Sequence, residues 1–346
     1  CPRGRLNHFY FLRLPWLCGT CYNKAVGNLS GCLSGPVSGK RKRSEKESEN
    51  SMETEGRKLW RVVYPVLTYW GVTLLVSVLF SMGVVTYVVY QNGVSGMLDF
   101  EKLMEDALLL LSDYMYEMSI ATAVLTLPLM LLYRRWDKKR ALRLGKVRRF
   151  EKPQPLAYLP VIVLGLASCL LLNNLMNLSG LMGAYDAVAE ELSSVLYQGR
   201  LVWEILGVGI LVPIAEELVF RGVTQSRIEE YWGKKYGIFL SALMFAAIHG
   251  NLLQGLYTLP LGLFMGYVYS KYRTLLAPVL FHAAANLLSV TASELGYLNF
   301  MADSEPLAWG ITVGAAVVVL GCLYVIHDKV WLREYTEESE ARSDGR

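Results

Sequence analysis

Charged residues are scarce in this sequence, and most of them lie outside the long apolar runs. Only 18% of the 346 residues are Asp, Glu, Lys or Arg, whereas 53% are hydrophobic and the mean hydropathy is +0.31. A soluble domain of this length would carry more charge and shorter apolar runs. Long apolar stretches recur from about residue 62 to residue 327, which indicates a polytopic membrane protein.

Cysteine does not occur in a pattern that predicts a metal or redox site. The sequence has six cysteines, and four of them precede residue 52. Cys18 and Cys21 have the C-x-x-C spacing, but no second pair completes a tetrahedral site and no βαβ pattern surrounds them. We expect residues 1–51 to be a disordered leader, or upstream non-native sequence before a start at Met52.

A secretory signal with a cleavage site is also absent, so we expect the first apolar segment to direct insertion into the membrane. Eight apolar segments can be distinguished, and several are near the ~20 residues that a spanning helix needs. The predicted fold is all-α, a polytopic transmembrane helical bundle of about eight spans. The segments are 62–90, 113–133, 156–176, 201–224, 236–250, 252–271, 274–292 and 306–327.

Loop charges predict the two sides of the membrane. Basic residues follow the second, fourth, sixth and eighth segments, whereas the intervening loops are acidic or neutral. Because positive charge marks the cytoplasmic side, both termini are predicted to be cytoplasmic. The basic loop 134–152 directly follows a spanning segment, which favours a topology signal that contacts anionic lipid. The expected partner is therefore the lipid bilayer and not a nucleic acid.

The same features divide the chain into five regions. Residues 183–199, which precede the core, are amphipathic and are expected to lie at the outer surface. The tail is polar and charged, which predicts disorder. The regions are a leader (1–51), N-terminal transmembrane helices with the basic loop (52–199), a core with polar motifs (200–292), a last transmembrane helix (293–328) and a polar cytoplasmic tail (329–346).

Three of the apolar segments contain polar motifs. They are "EELVFR" at 216–221, "FAAIH" at 245–249 and "HAAAN" at 282–286, and two of the four histidines lie in them. Inserting an ionisable group at bilayer depth costs about 2.5–3.5 kcal/mol on insertion scales, so the presence of each such group needs an explanation. Any one of these side chains is explained equally well as interhelical hydrogen-bonding glue. Six of them on three helices favour a functional site.

Helical spacing assigns different surroundings to the two glutamates. Glu217 and Arg221 are four residues apart, so they share a helical face and form a self-neutralising pair. Glu216 is rotated by about a third of a turn and is left to face another partner. His282 and Asn286 are also four apart and project together.

A pocket between these three helices would combine a carboxylate, two imidazoles and an amide. Burial makes a carboxylate a stronger base, so Glu216 with a neighbouring imidazole can take a proton from water as the water attacks a carbonyl. A histidine and an asparagine can donate hydrogen bonds to the oxyanion that forms. Phe245 shares a face with His249 and is expected to pack beneath its imidazole. This pattern predicts a hydrolase that needs neither serine nor cysteine.

The ordered motifs E-E-x-x-x-R, F-x-x-x-H and H-x-x-x-N resemble those of the CAAX protease and bacteriocin-processing family, also called Abi or CPBP. All three motifs are complete in this sequence, and the resemblance covers about residues 200–292. The family includes bacterial members described as lysostaphin-resistance-like. The resemblance implies an intramembrane glutamic endopeptidase in the bacterial plasma membrane.

The resemblance also implies a role for each residue. Glu216 would activate water with assistance from His249, and His282 and Asn286 would form the oxyanion site. Glu217, Arg221 and Phe245 would support the site. No cofactor is expected, because the motifs lack the H-E-x-x-H spacing, but Zn bound by Glu216, His249 and His282 is the alternative.

The implied substrate is a peptide or protein precursor that enters from the membrane, with bacteriocin processing or self-immunity as the cellular role. A non-catalytic scaffold or regulator of cell-envelope proteins stays open as another class. A proton-coupled transporter is a weaker alternative, because the sequence has no internal repeat and its polar residues fall in one half. The sequence does not indicate an oligomeric state.

Overall fold

The computed structural model describes residues 54–96, 100–146, 149–179, 201–249, 252–294, 304–330 and 334–335. All of them lie in one compact unit, Thr54–Arg346. The predicted leader (1–51), the amphipathic segment 183–199 and tail residues 336–346 lie outside the described residues. The predictions for these regions, and the predicted region boundaries, stay predictions.

The described part of the chain is built from helices, which confirms the predicted class of helical membrane protein. One short antiparallel pair of strands accompanies them, β1 (Arg149–Phe150) and β2 (Glu334–Tyr335). The helices are α1 Glu55–Gly96, α2 Phe100–Asp113, α3 Met115–Arg143, α4 Leu159–Leu178, α5 Leu201–Glu204, α6 Val212–Glu217, α7 Ser226–Trp232, α8 Lys234–Ala247, α9 Leu252–Tyr272, α10 Leu276–Glu294 and α11 Glu305–Lys329.

Within the described residues, four helices are long and apolar enough to cross a membrane. They correspond to the first, second, third and eighth predicted segments. The other four predicted segments are helical too, but α8 has only 14 residues and the fourth segment alternates between α and π hydrogen bonding. The count of eight spans and the cytoplasmic position of the termini therefore stay predictions. The four qualifying stretches are Glu55–Asn92, Met115–Arg143, Pro155–Leu178 and Glu305–Lys329.

Two helical stretches were not predicted. The acidic loop after the first segment contains α2, whose Leu103, Ala107 and Leu110 lie on one helical face and pack against Val84 and Val88 of α1. Helix α3 continues through the first ten residues of the predicted basic loop. Arg, Lys, Ala and Leu are strong helix formers, so a loop that is basic need not be irregular.

The fourth segment is one helical path from residue 201 to residue 232, which we call the motif helix. Its hydrogen-bonding pattern widens to the π form at Ile205–Leu211 and again at Leu218–Gln225. The first π segment ends two residues before Pro213, which has no N–H to bond to the turn before it. The backbone at each junction keeps right-handed helical angles, so the path is unbroken. Such π turns often occur at functional sites.

Other helices surround the motif helix. Helices α1, α3 and α8 pack against its second π segment, and α10 packs against its first π segment and α6. Helix α4 holds α10 from the other side and also contacts α11. The largest buried apolar side chains next to the motifs are Phe220, Phe245 and Phe281, each at most 1% exposed.

The loops that follow the second, fourth and sixth predicted segments meet at one end of the described structure. Lys146, Lys234 and Arg273, one from each loop, line a cavity of about 760 Å³. Lys271 donates to the backbone carbonyl of His327 at 3.0 Å, which joins this end to the end of α11. The structure therefore gathers the loops that the charge pattern assigns to the cytoplasmic side.

Candidate active site

Glu217 and Arg221 form a fully buried ion pair on the motif helix. Arg221 Nη1 donates to Glu217 Oε1 at 2.8 Å, and both side chains are 0% exposed. Arg221 Nη2 donates to the backbone carbonyl of Gly262 on α9 at 3.0 Å. The guanidinium carbon also lies 4.7 Å from the ring centroid of Phe245. The i, i+4 spacing predicted the ion pair itself, and the structure adds the contacts by which it joins three helices.

His282 on α10 lies between the two glutamates. Its Nδ1 is 2.9 Å from Glu217 Oε1, and its Nε2 is 3.8 Å from Glu216 Oε2. A carboxylate paired with arginine only accepts hydrogen bonds, so Nδ1 carries the hydrogen of this contact. The distance of 3.8 Å to Glu216 is too long for a direct hydrogen bond. In the neutral ring, Nε2 is therefore an acceptor that faces a second acceptor.

A water molecule between these two acceptors would satisfy both of them. It could donate one hydrogen to Glu216 Oε2 and the other to His282 Nε2, since each needs a donor. Its oxygen would then lie beside a buried carboxylate, in the position that a general base requires for activating water.

The other oxygen of Glu216 is bound by a side chain from outside the motifs. Tyr69 of α1 donates from its hydroxyl to Glu216 Oε1 at 2.9 Å. The Tyr69 ring meets Phe220 edge-on, with centroids 6.2 Å apart and planes at 84°. Glu216 is 7% exposed, so the carboxylate has a partner at one oxygen and a buried face toward His282 at the other.

Phe245 connects the two histidines of the motifs. Its ring contacts His249 at 4.8 Å between centroids and His282 at 5.7 Å, both edge-on. His249 Nδ1 lies 2.7 Å from the backbone carbonyl of Phe245. Because a carbonyl only accepts, Nδ1 carries the hydrogen, and Nε2 of the neutral ring is an acceptor able to take a proton.

Asn286 lies one turn after His282 on α10 and binds the motif helix. Its Nδ2 donates to the backbone carbonyl of Val208 at 2.9 Å. Val208 belongs to the first π segment, in which a carbonyl accepts from the N–H five residues later, and for Val208 that residue is Pro213, which has no N–H. One hydrogen of this amide thus holds α10 against the motif helix, and the described residues provide no acceptor for the second.

The structure brings most of the predicted site residues together. Glu216, Glu217, Arg221, Phe245 and His282 are connected by direct contacts, and His249 joins them through Phe245. Asn286 is held to the backbone of the motif helix instead. Tyr69 was missed, because the sequence has 21 tyrosines and nothing in an apolar run distinguishes one that faces a carboxylate.

The alternative prediction was that Glu216, His249 and His282 bind zinc, and it depends on how these side chains are arranged. Among the described residues, no group of three or more His, Cys, Asp or Glu side chains is arranged to hold a metal ion. Nδ1 of His282 is occupied by Glu217, so only Nε2 faces Glu216 as a potential ligand. The donors present therefore do not fit a three-ligand zinc centre as they stand, and the metal-free mechanism stays a prediction.

The sequence of the core was compared with known protein families and proteins. Residues 198–288 match the model of the type II CAAX prenyl endopeptidase Rce1-like family, and this range contains all three motifs. The resemblance inferred from the motifs is thereby confirmed. The chain is a helical membrane protein whose residues 198–288 are similar to the CAAX prenyl endopeptidase family.

Two curated bacterial proteins are similar to part of this chain. The UPF0177 protein YaiF of Lactococcus lactis subsp. lactis (strain IL1403) is 32% identical over 117 residues, which cover 34% of this chain and 50% of that protein. The UPF0177 protein YxdF of the same strain is 30% identical over 107 residues, which cover 30% of this chain and 58% of that protein. The chain thus spans little more than half the length of the curated relatives it matches. No solved structure matches it.

Proposed function

We propose that this protein is a membrane-embedded endopeptidase that hydrolyses a peptide bond with water activated by Glu216. The observation that carries the proposal is the position of His282 between Glu216 and Glu217, with Nε2 facing Glu216 across 3.8 Å. The similarity to the CAAX prenyl endopeptidase-like family supports the reaction class. The two bacterial relatives support a plasma membrane of a bacterium as the location.

In the proposed reaction, Glu216 takes a proton from water while the water oxygen attacks the carbonyl carbon of the scissile bond. His249 assists by accepting that proton from Glu216 at Nε2 and donating it to the leaving nitrogen, so that both residues return to their starting protonation states. The products are a carboxylate and an amine, so one water is consumed for each bond broken. A general base of this kind contributes about 10²–10⁴-fold to the rate.

The oxyanion requires donors, and the proposal assigns them to His282 and Asn286. Because Nδ1 of His282 is bound to Glu217, its Nε2 donates only when the ring is protonated. Glu217 stabilises that cation, in the way a carboxylate stabilises the imidazolium of a catalytic triad. Asn286 contributes the amide hydrogen that Val208 leaves free. Glu217 is thus a positioning residue for His282 as well as a partner of Arg221.

The proposed substrates enter from the lipid bilayer, and the site is predicted to need no metal. Two substrate classes follow from the resemblance of the motifs and from the similarity to the CAAX prenyl endopeptidase family. One is an apolar peptide precursor, for which bacteriocin processing or self-immunity is the cellular role. The other is a prenylated peptide that ends in a C-a-a-X sequence.

The proposal is tested by comparing peptides from cells that carry the wild type or Glu216→Ala at matched protein levels. Mass spectrometry should detect a precursor that accumulates only in the variant. Purified protein in lipid nanodiscs is then assayed with that precursor and with an internally quenched farnesylated C-a-a-X peptide. We expect Glu216→Gln to lose about 10²–10⁴-fold in kcat.

Glu101→Gln is the matched control, because it makes the same chemical change at an exposed position of α2. It should retain wild-type activity. Identical peptide profiles in wild-type and Glu216→Ala cells, together with no cleavage of either purified probe, would reject the peptidase. A cellular phenotype that Glu216→Ala leaves unchanged would then favour the scaffold or regulator.

A further inference from the structure

Tyr69 is the one side chain outside the three motifs that the described structure shows bound to Glu216. Its hydroxyl donates to Oε1 at 2.9 Å, across 147 residues of sequence. Helix α1, which carries Tyr69, lies outside the range that matches the endopeptidase family. The apolar N-terminal helices therefore contribute a polar contact to the candidate site.

The ring of Tyr69 is fixed by packing, so the hydroxyl has a defined position. The ring meets Phe220 edge-on, and Phe220 is itself 0% exposed and packed edge-on against Phe245 at 5.2 Å. Helix α1 packs along the π segment Leu218–Gln225 that follows the two glutamates. This aromatic row of Tyr69, Phe220 and Phe245 links α1 to α8, and His249 lies just after the end of α8.

The contact determines which oxygen of Glu216 is available for chemistry. A carboxylate has two equivalent oxygens, and rotation about its last side-chain bond can exchange them. With Oε1 held by Tyr69, Oε2 is the oxygen that faces His282 Nε2. Without this donor, the carboxylate is free to rotate away from the histidine.

A buried tyrosine hydroxyl normally finds some partner, so the contact alone could be a packing detail. Two observations argue for more. The acceptor is the carboxylate that the sequence marks as the base, and a hydrogen bond to a charged group is worth more than one to a neutral group. The bond also restricts the one torsion that decides how Glu216 meets His282.

We infer that Tyr69 is a positioning residue of the proposed peptidase: it holds Glu216 so that Oε2 faces the water site beside His282. The inference rests on the proposed function. It also gives the N-terminal helices, to which the motifs assign no role, a part in the reaction.

The test compares Tyr69→Phe with Tyr64→Phe in full-length protein in lipid nanodiscs. Tyr64→Phe removes a hydroxyl from the same helix and keeps the ring, which stacks on Arg227 at 4.6 Å, away from Glu216. With the farnesylated C-a-a-X probe, or with the precursor identified in cells, we expect Tyr69→Phe to lower kcat about 10-fold at unchanged KM. Tyr64→Phe should be within about twofold of the wild type.

A second measurement separates positioning from general destabilisation. Thermal unfolding of the wild type, Tyr69→Phe, Glu216→Ala and the double variant forms a double-mutant cycle. If the hydroxyl acts through Glu216, Tyr69→Phe lowers the midpoint in the wild type and has little further effect in Glu216→Ala. Equal lowering in both backgrounds would contradict the inference, even if kcat falls.

The outcomes distinguish the inference from the proposed function. If the wild type cleaves the probe, Glu216→Gln does not, and Tyr69→Phe matches Tyr64→Phe in kcat, the inference is wrong and the peptidase stands. If the wild type cleaves neither probe, the peptidase fails and the positioning role is rejected with it. If Tyr69→Phe still lowers the unfolding midpoint only when Glu216 is present, Tyr69 is a structural partner of Glu216 without a role in catalysis.

Discussion

At the scale of single residues, Arg221 is the side chain on which the buried charges of the site depend. Its guanidinium bonds to Glu217 and to the carbonyl of Gly262, and it covers the Phe245 ring. We expect Arg221→Met to lower the free energy of unfolding by about 3–5 kcal/mol, because it leaves a buried carboxylate without its counter-charge. Thermal and denaturant unfolding of the purified protein would measure this.

The control for this prediction is the double variant Glu217→Leu with Arg221→Met, which removes both charges. Replacing both partners of a buried pair with apolar residues is often neutral for stability. The double variant should therefore be more stable than Arg221→Met, although without activity. Equal instability of the two variants would show that the volume and packing of Arg221 matter, and not the uncompensated charge.

His282 shows how one residue can serve two carboxylates. Glu217 accepts from Nδ1, and Glu216 lies on the side of Nε2. The orientation of the ring therefore depends on Glu217, to which the motif alone assigned only a structural role. This geometry extends the expected role of Glu217 from pairing with Arg221 to orienting the imidazole. The assignment of roles stays a proposal until the variants are assayed.

At the scale of secondary-structure elements, the position of α10 is set by a close approach to α4. A Cβ placed on Gly165 would lie 2.4 Å from the backbone oxygen of Phe281, the residue before His282. We expect Gly165→Ala to force the two helices apart, to lower the free energy of unfolding by about 1–3 kcal/mol and to impair activity by displacing His282. Unfolding and peptide cleavage by the purified variant would test this.

Gly71→Ala on α1 is the matched control, because nothing lies within 4 Å of its added Cβ. Glycine in a helix interior is less favourable than alanine by about 0.5–1 kcal/mol, so this variant should be as stable as the wild type or slightly more stable. If the two variants behave alike, the close packing of α4 on α10 does not constrain the site.

The two π segments of the motif helix also affect how the secondary-structure elements are positioned. The first offers the carbonyl of Val208 to Asn286, and the second begins directly after Glu217. A regular α-helix would use that carbonyl internally. The irregular backbone thus accounts for how α10 is anchored, and spacing rules for a regular helix do not predict it.

At the scale of the whole molecule, the predicted topology has a structural counterpart. Lys146, Lys234 and Arg273 come from three loops predicted to be cytoplasmic, and they line one cavity. The pairing of β1 with β2 adds the chain after α11 to this end. The agreement supports a common side for these loops, whereas the number of spans is still to be measured.

Single cysteines introduced into a cysteine-free background would measure the topology in intact cells. We expect Lys146→Cys and Lys234→Cys to be protected from a membrane-impermeant thiol reagent, and Glu305→Cys to be labelled. Opening the cells should expose the first two positions. Labelling of Lys234→Cys in intact cells, with Lys146→Cys protected, would mean that the fourth segment does not cross as predicted.

Some elements were missed at this scale for a physical reason. Helix α2 has an apolar face only four turns long, and it is buried by α1 and not by lipid, so an average of hydropathy does not reveal it. The helical continuation of α3 through basic residues is missed when a charged stretch is assumed to be a loop. Periodicity, and not mean hydropathy, carries the signal in both cases.

The sequence by itself determined the helical membrane class, the resemblance of the core to the CAAX prenyl endopeptidase family and the pairing of Glu217 with Arg221. These follow from apolar length, from ordered motifs and from i, i+4 spacing, which are local properties of the chain. Only the tertiary structure decided that Tyr69 binds Glu216, that His282 lies between two carboxylates and that Asn286 holds the carbonyl of Val208. Those contacts join residues that are 65 to 147 positions apart, and helical periodicity contains no information about which faces of distant helices meet.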